Sequence, residues 1–194
     1  MNTCFGEGVP LLWMDLETTG LIKGQGGLRE GGLILEASWL VTDGVIPLAG
    51  GTELVLNDRW PSDIMSPQVN EMHVESELYG DWGRGRARMT IFQIEQAILH
   101  DIHVAIGQTG RWNAAIQLQL SGFGPQFDRQ WIEKFMPTLE GRLHYRNLDV
   151  RSLSTAETLR TGQKPGSGRK HRALPDNMEA YGFFVASVGW PVQA

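Results

Sequence analysis

The chain of 194 residues predicts an α/β domain with a mixed β-sheet flanked by helices. Three observations predict this class. The segment Leu11–Glu17 is apolar and then acidic, which indicates a buried strand that ends in carboxylates. Two further strand-like segments follow it, which favours an antiparallel meander of three strands. The rest of the chain alternates helical and strand patterns, which favours parallel strands joined by helices.

The first half of the chain supplies the meander. Leu33–Thr42 is the second predicted strand, Asp43-Gly44 is a turn signal, and Gly51–Leu56 is the third strand. The five glycines within Lys23–Gly32 indicate a loop between the first two strands. Asn57–Gly83 is polar and irregular, with room for short helices. The sheet therefore begins with three consecutive strands.

The second half supplies helices and the remaining strands. Thr90 can cap a helix because its side chain can accept from the first free backbone N–H groups. Apolar residues at helical spacing continue from this cap, and Pro137 and Pro175 mark a helix end and a helix start. The predicted helices are Ile91–Ile102, Phe127–Met136, Ser152–Arg160 and Pro175–Val185. The predicted strands are Ala114–Leu120 and His144–Val150.

Composition and charge restrict the possible functions. Hydrophobic residues make up 41% and charged residues 20%, as in globular proteins, so we expect one domain over 1–194 with its core at about 10–187. The single cysteine, Cys4, excludes an internal disulfide and a thiolate zinc site. The net charge of −5 argues against a broad basic surface that grips long nucleic acid. Without a membrane-length apolar run or a signal-peptide pattern at 1–10, a cytoplasmic protein without membrane contact is expected.

Asp15 and Glu17 are the first candidate site residues. They lie two positions apart on a predicted strand, so both side chains point to one face. Neighbouring carboxylates repel each other, and a hard divalent cation such as Mg²⁺ or Mn²⁺ compensates that repulsion. The alternative is a strand end with two solvated acids. An acid-x-acid pair alone does not decide between the two.

Three later residues complete a candidate constellation. Asp128 stands near the start of a predicted helix, and His171 and Asp176 are five positions apart in HRALPD. Each has a structural alternative, since aspartate is common in a first helical turn and a loop histidine is common anywhere. Their order after Asp15 and Glu17, each on a suitable element, favours one shared site.

This pattern resembles that of the DEDDh 3′→5′ exonucleases, a group that includes oligoribonuclease, ribonuclease T and the polymerase proofreading exonucleases. The similarity is greatest to oligoribonuclease and covers most of Leu11 to Tyr181. The segments that carry it are LLWMDLETTGL from Leu11, ILEASWLVTD from Ile34, HVESEL from His73 and KFMPTLEGRLHYRNLDVRSL from Lys134. The resemblance implies a ribonuclease H-like fold.

The resemblance also implies a reaction. In that family four carboxylates hold two divalent cations, and the histidine is the general base. Asp15, Glu17, Asp128 and Asp176 would bind Mg²⁺ or Mn²⁺, and His171 would activate the water. The implied substrate is a short single-stranded oligoribonucleotide with a free 3′ end, released as 5′-mononucleotides. A proofreading-type DNA exonuclease and a catalytically silent module that binds nucleotide ends are the alternatives.

Four more positions take substrate-binding roles from the resemblance. Leu21 would wedge against the terminal bases and His73 would contact the 3′-terminal nucleotide. Tyr145 and Arg146 would reach substrate bound to the other subunit of a homodimer. The structural alternatives are a core leucine, a surface histidine and a tyrosine packed in a strand. Three departures (SGFGPQFD before the third motif, Gln68 in place of a tryptophan, and Pro175 in place of an acid) bear on dinucleotide preference and fit a divergent member, such as one encoded by a bacteriophage.

Overall fold

A five-stranded mixed sheet organises the molecule. The computed structural model describes residues 8–20, 32–58, 65–87, 89–162 and 170–188. The strands are β1 (Pro10–Thr18), β2 (Ile34–Asp43), β3 (Ile46–Leu54), β4 (Gln119–Gly122) and β5 (Leu148–Asp149). Their order in the sheet is β3-β2-β1-β4-β5, with antiparallel pairing from β1 to β3 and parallel pairing of β1 with β4 and of β4 with β5. The predicted α/β class, meander and added parallel strands are confirmed.

Helices cover both faces of the sheet. In the described part of the chain they are α1 (Pro67–Glu75), α2 (Leu78–Gly83), α3 (Ile91–Thr109), α4 (Pro125–Phe135), α5 (Pro137–Glu140), α6 (Val150–Thr161) and α7 (Ala173–Ser187). The predicted cap of α3 is present, because the Thr90 hydroxyl accepts from the Gln93 N–H and the Gln93 side chain accepts from the Thr90 N–H. α3 continues past the predicted end at Ile102 and stops at Gly110, whose φ is +60°.

β1 contributes to two separate cores. Leu12, Met14 and Leu16 pack in the large core that includes residues of α3 and α4. Leu11 and Trp13 face the opposite side and pack against residues of α6 and α7. The alternation of the strand therefore places Asp15 and Glu17 on the face covered by α7. Apolar packing on both faces fixes the register of this strand and so the position of its two acids.

The last two strands are shorter than the sequence predicts. Ala114–Leu120 was expected as a strand, whereas β4 begins at Gln119 because an Asn113 side chain turns the preceding backbone by accepting from the Ala115 N–H. β5 holds two residues where seven were expected, and the His144 ring accepts from the Arg146 N–H in the turn before it.

The third strand begins earlier than predicted. β3 starts at Ile46, directly after the Gly44-Val45 turn, and not at Gly51. The extra residues at the start of the strand include Pro47 and Gly50, which are residue types that are uncommon in the interior of a strand. Gly50 and Gly51 both lie close to Trp39 of the neighbouring strand, because a Cβ on Gly51 would come within 2.6 Å of the indole ring and a Cβ on Gly50 within 2.5 Å of the Trp39 carbonyl oxygen. Tertiary packing, which no local pattern reports, explains the difference.

Several expectations fall outside the described residues. They concern Leu21, Cys4 and the body of the glycine-rich loop before β2. Among the helices that the structure describes, none is long and apolar enough to cross a membrane.

Candidate metal centre and active site

The acidic end of β1 forms the floor of a cleft of about 610 Å³. The five predicted catalytic residues all line this cleft: Asp15, Glu17, Asp128, His171 and Asp176. Two of them lie on β1, and the other three lie at or just before the starts of α4 and α7, more than a hundred residues after β1 in the sequence. The structure therefore brings together the complete constellation that the motif order suggested.

Asp128 reaches the site because β4 is short. The pairing of β1 with β4 covers Leu11 to Trp13, and beyond it the Leu16 N–H donates to Asp128 Oδ1 at 3.0 Å. α4 starts directly after β4, with Asp128 in its first turn and 4% exposed. The carboxylate thus takes the place that a longer neighbouring strand would occupy and is held against β1.

Asp176 and His171 are held by the start of α7. Asp176 lies in the first turn of α7, where a carboxylate is favoured by the helix dipole. Its Oδ1 accepts from the Lys170 N–H at 3.0 Å, so the helix start and the residue before His171 are tied together. One side-chain donor atom each from Glu17, His171 and Asp176 lie within 4.8 Å of one another. This spacing suits a shared divalent cation or a cation with its bound water.

Mutual repulsion dominates the electrostatics of the cleft. Burial, followed by the charges of Asp15, Asp176 and Glu36, raises the pKa of Glu17 from 4.5 to about 8, while Arg172 opposes the shift. Burial and the Asp15 charge likewise raise the pKa of Asp128 well above its ordinary value, against the Leu16 hydrogen bond that lowers it. Carboxylates crowded in this way fit a divalent cation, which supplies the positive charge that they lack.

His73 lies beneath the site and not on the surface. Its side chain is fully buried, and its Nε2–H donates to the Thr18 carbonyl at 2.9 Å. Its Nδ1 lies 3.8 Å from Glu17 Oε2 and has no hydrogen-bond partner among the described residues. Burial lowers the pKa of this imidazole. The surface alternative is wrong, because the side chain is buried, and the substrate role stays a prediction.

Tyr145 and Arg146 lie outside the cleft. Tyr145 is 72% exposed in the turn before β5, and the Arg146 guanidinium stacks over its ring at 5.2 Å. The alternative that Tyr145 packs within a strand is wrong, because this part of the chain is a turn. Their proposed role across a dimer is not addressed by a single chain and stays a prediction.

The cleft also contains residues that the sequence patterns did not single out. Phe123 and Phe127 form an apolar wall, and Arg151 is the single Lys or Arg among the described lining residues. The Arg151 Nη2 donates to the Phe123 carbonyl at 3.4 Å. The backbone N–H of Arg151 donates to Asp149 Oδ1. Phe127 matched the apolar pattern of a helix, which does not distinguish a core face from a cleft face.

Glu36 is a further buried acid near the cleft. It accepts from the backbone N–H of Ala173 at 2.8 Å and from the Arg172 guanidinium, both far away in sequence. Glu36 pairs with Glu17 across β1 and β2, which explains its effect on the Glu17 pKa.

Comparisons with known proteins give one consistent result. The chain is 32% identical over 179 residues to the oligoribonuclease of Cutibacterium acnes, a match that covers 88% of this chain and 80% of that protein. It is 33% identical over 177 residues to the oligoribonuclease of Nocardia farcinica, covering 88% and 75%. It is 32% identical over 181 residues to the oligoribonuclease of Sodalis glossinidius, covering 88% of each. No protein-family model matches the chain.

Proposed function

The chain belongs to the oligoribonuclease family, and from this premise we propose that it hydrolyses short single-stranded oligoribonucleotides from the 3′ end to 5′-mononucleotides. The observation that carries the proposal is that the four predicted metal-binding carboxylates and His171 all line a single cleft. Phosphodiester hydrolysis needs a positioned water, a proton acceptor and positive charge at the phosphate. The cleft contains residues suited to each need.

We propose that Asp15, Glu17, Asp128 and Asp176 hold two divalent cations, Mg²⁺ or Mn²⁺. Asp15 would bridge both positions, Glu17 and Asp176 would hold the cation on the side of the attacking water, and Asp128 the other. Such cations, when bound, lower the pKa of a coordinated water and stabilise charge on the leaving oxygen. The raised pKa values of Glu17 and Asp128 support this assignment, because they reflect carboxylates that lack a compensating charge.

His171 is the proposed proton acceptor. It lines the cleft beside Glu17 and Asp176, where its imidazole can take a proton from the attacking water. Its backbone has a φ of +51°, a left-handed conformation that is uncommon outside glycine. The Lys170 N–H on one side of His171 donates to Asp176, and the Ala173 N–H on the other side donates to Glu36, which supports this backbone conformation.

The substrate would be held by apolar and cationic groups. Phe123 and Phe127 offer surfaces on which a base can stack, and Arg151 can contact a phosphate. His73, Leu21, Tyr145 and Arg146 keep the roles implied by the family, the last two across a homodimer. The exposed Tyr145-Arg146 stack supports that role, since both side chains are accessible to a second chain. A monomeric mass in solution would refute the dimer.

The experiment that tests the activity follows a 7-mer RNA with a 5′ label in Mg²⁺ or Mn²⁺. The expected product pattern is a ladder that shortens from the 3′ end, with 5′-mononucleotides released. Asp128→Asn should abolish the ladder, because the amide keeps the shape and an acceptor oxygen but loses the charge. Arg160→Gln is the matched control, since Arg160 pairs with Glu157 on the surface and does not line the cleft.

A comparison of substrates decides between the first candidate and a proofreading-type DNA exonuclease. A dinucleotide, a 7-mer and a 20-mer, each as RNA and as DNA, would be digested under the same conditions. The proposal predicts the highest kcat/KM on short RNA. Faster digestion of the 20-mer DNA would favour the DNA enzyme. Binding of 3′ ends without hydrolysis in either metal would identify a catalytically silent module.

A further inference from the structure

The segment that carries His171 is held by groups outside the cleft. α7 begins at Ala173 without a side-chain cap from its own N-cap residue, Arg172. The first free N–H of that helix, on Ala173, is instead bound by Glu36 Oε2 of β2 at 2.8 Å. His171 lies just before this anchor and just after Lys170, whose N–H is bound by Asp176. His171, whose backbone is left-handed, therefore has a hydrogen-bonded backbone N–H within two residues on each side.

Arg172 completes the anchor on Glu36. Its Nε lies 3.0 Å from Glu36 Oε2, and its Nη2 lies 2.8 Å from Oε1, so the guanidinium binds the carboxylate with two parallel hydrogen bonds. This paired geometry fixes orientation as well as distance. Glu36 is 4% exposed, so the pair is shielded from solvent on the carboxylate side. The carboxylate thus binds the backbone and the side chain of consecutive residues.

The same guanidinium also binds a second acid. Arg172 Nη2 lies 3.0 Å from Asp81 Oδ2 in α2. The other oxygen of Asp81 is bound by both Arg84 and Arg86 at 2.7 Å. Arg172 therefore connects β2 to α2 next to the His171 segment. Arg172 does not line the carboxylate cleft, whereas His171 does.

We propose that Glu36, Arg172 and Asp81 form a positioning clamp that holds His171 in its left-handed conformation over the carboxylates. The proposal rests on the proposed exonuclease function, in which His171 accepts the proton. Buried ion pairs of this kind contribute little net stability compared with apolar packing, but they do specify geometry. A general base that is displaced by about 1 Å can lose ~100-fold in rate, which makes such geometry consequential.

A double-mutant cycle tests the clamp. Arg172→Gln removes the paired hydrogen bonds, and we expect kcat on the 7-mer RNA to fall by about 10- to 100-fold with KM nearly unchanged. The same change in a His171→Ala background should lower kcat by less than about twofold further, because there is no imidazole left to position. The number of Mn²⁺ ions bound, measured by calorimetry, should stay the same in Arg172→Gln because all four proposed ligands are retained, while the affinity changes because Arg172 lies close enough to Glu17 to lower its pKa.

Two further variants separate positioning from folding. Asp81→Asn keeps Glu36 paired and should give a smaller loss of kcat that also disappears in the His171→Ala background. Arg172→Lys keeps the charge without the paired geometry and should recover only part of the rate. Arg86→Gln is the matched control, because Arg86 binds Asp81 but not Glu36, and its kcat should be close to that of the wild type.

Equal losses of kcat in the wild-type and His171→Ala backgrounds would overturn the clamp, since they would indicate a general structural effect. Loss of a bound Mn²⁺ ion in Arg172→Gln would overturn it as well, since it would indicate that the ligands themselves have moved. These outcomes differ from failure of the proposed function, in which the wild-type protein itself hydrolyses no RNA. That result would overturn the exonuclease assignment and the clamp together.

Discussion

Glu17 is a buried carboxylate whose nearest charged neighbours are mostly other acids. It is 6% exposed, and its pKa rises to about 8 through burial and through Asp15, Asp176 and Glu36. His73 does little to relieve this repulsion, because burial lowers the pKa of its imidazole and so disfavours the charged form. A group in such a setting is destabilising unless a cation binds to it. The electrostatic repulsion at Glu17 is therefore the residue-level observation that indicates a metal site.

Arg151 gives the prediction at the residue scale. As the one permanent cation among the described lining residues, it should contact a substrate phosphate by a charge-assisted hydrogen bond. Arg151→Gln should raise KM on the 7-mer RNA by about tenfold and change kcat little. Steady-state kinetics at low and moderate salt would measure this, with the difference shrinking as salt increases. A KM equal to that of the wild type at low salt would exclude the contact.

The sequence predicted the elements that depend on local patterns, such as the first strand and the starts of the two helices that carry Asp128 and Asp176. The alternation in β1 and the first-turn positions of Asp128 and Asp176 are local properties, so the sequence predicted them and the structure confirms their elements. The extents of β3, β4 and β5 depend on contacts with other strands, such as Gly51 beneath Trp39, and no local pattern contains them. For the same reason the sequence did not indicate that Arg172 and Glu36 bind each other.

At the scale of elements, we predict opposite effects on the free energy of unfolding for alanine substitutions at two glycines. A Cβ on Gly50 in β3 would lie 2.5 Å from the Trp39 carbonyl oxygen, which is backbone and cannot move aside. Gly50→Ala should therefore lower the free energy of unfolding by about 1–3 kcal/mol. Gly182→Ala is the matched control, because a Cβ there meets nothing within 4 Å on an exposed face of α7. It should raise that free energy by about 0.5–1 kcal/mol.

Urea unfolding of both variants would measure these changes from the midpoint at constant slope. Equal stability of Gly50→Ala and the wild type would mean that β3 and β2 do not approach each other as closely as the structure indicates.

For the whole molecule, the acidic cleft couples stability to pH and to metal. The pKa of Glu17 is about 8 in the folded protein and near 4.5 in the unfolded chain, and that of Asp128 is also raised. Between these values the folded protein binds more protons than the unfolded chain, so the stability of the metal-free protein should fall as pH rises from 5 to 8. Each pKa unit corresponds to about 1.4 kcal/mol, and each kcal/mol to about 2–4 °C in Tm.

Mg²⁺ should remove much of this pH dependence, because it binds the ionised carboxylates. Thermal unfolding in chelator and in Mg²⁺ at pH 5.5 and pH 8 would measure it, and the Tm increase from Mg²⁺ should be larger at pH 8. Glu17→Gln should flatten the pH dependence of the metal-free protein. An equal Mg²⁺ effect at both pH values would contradict the linkage between the acids and the metal.

The measurement that tests the metal centre most directly is a calorimetric titration of the protein with Mn²⁺ in the absence of substrate, which needs no assumption about the reaction. We expect saturable binding of two ions per chain. Asp15→Asn should weaken binding by more than the ~10-fold that loss of an outer-shell partner causes, because Asp15 is the proposed bridging ligand. Absence of saturable binding in the wild-type protein, or identical binding by Asp15→Asn, would contradict the assignment of these carboxylates as a metal site.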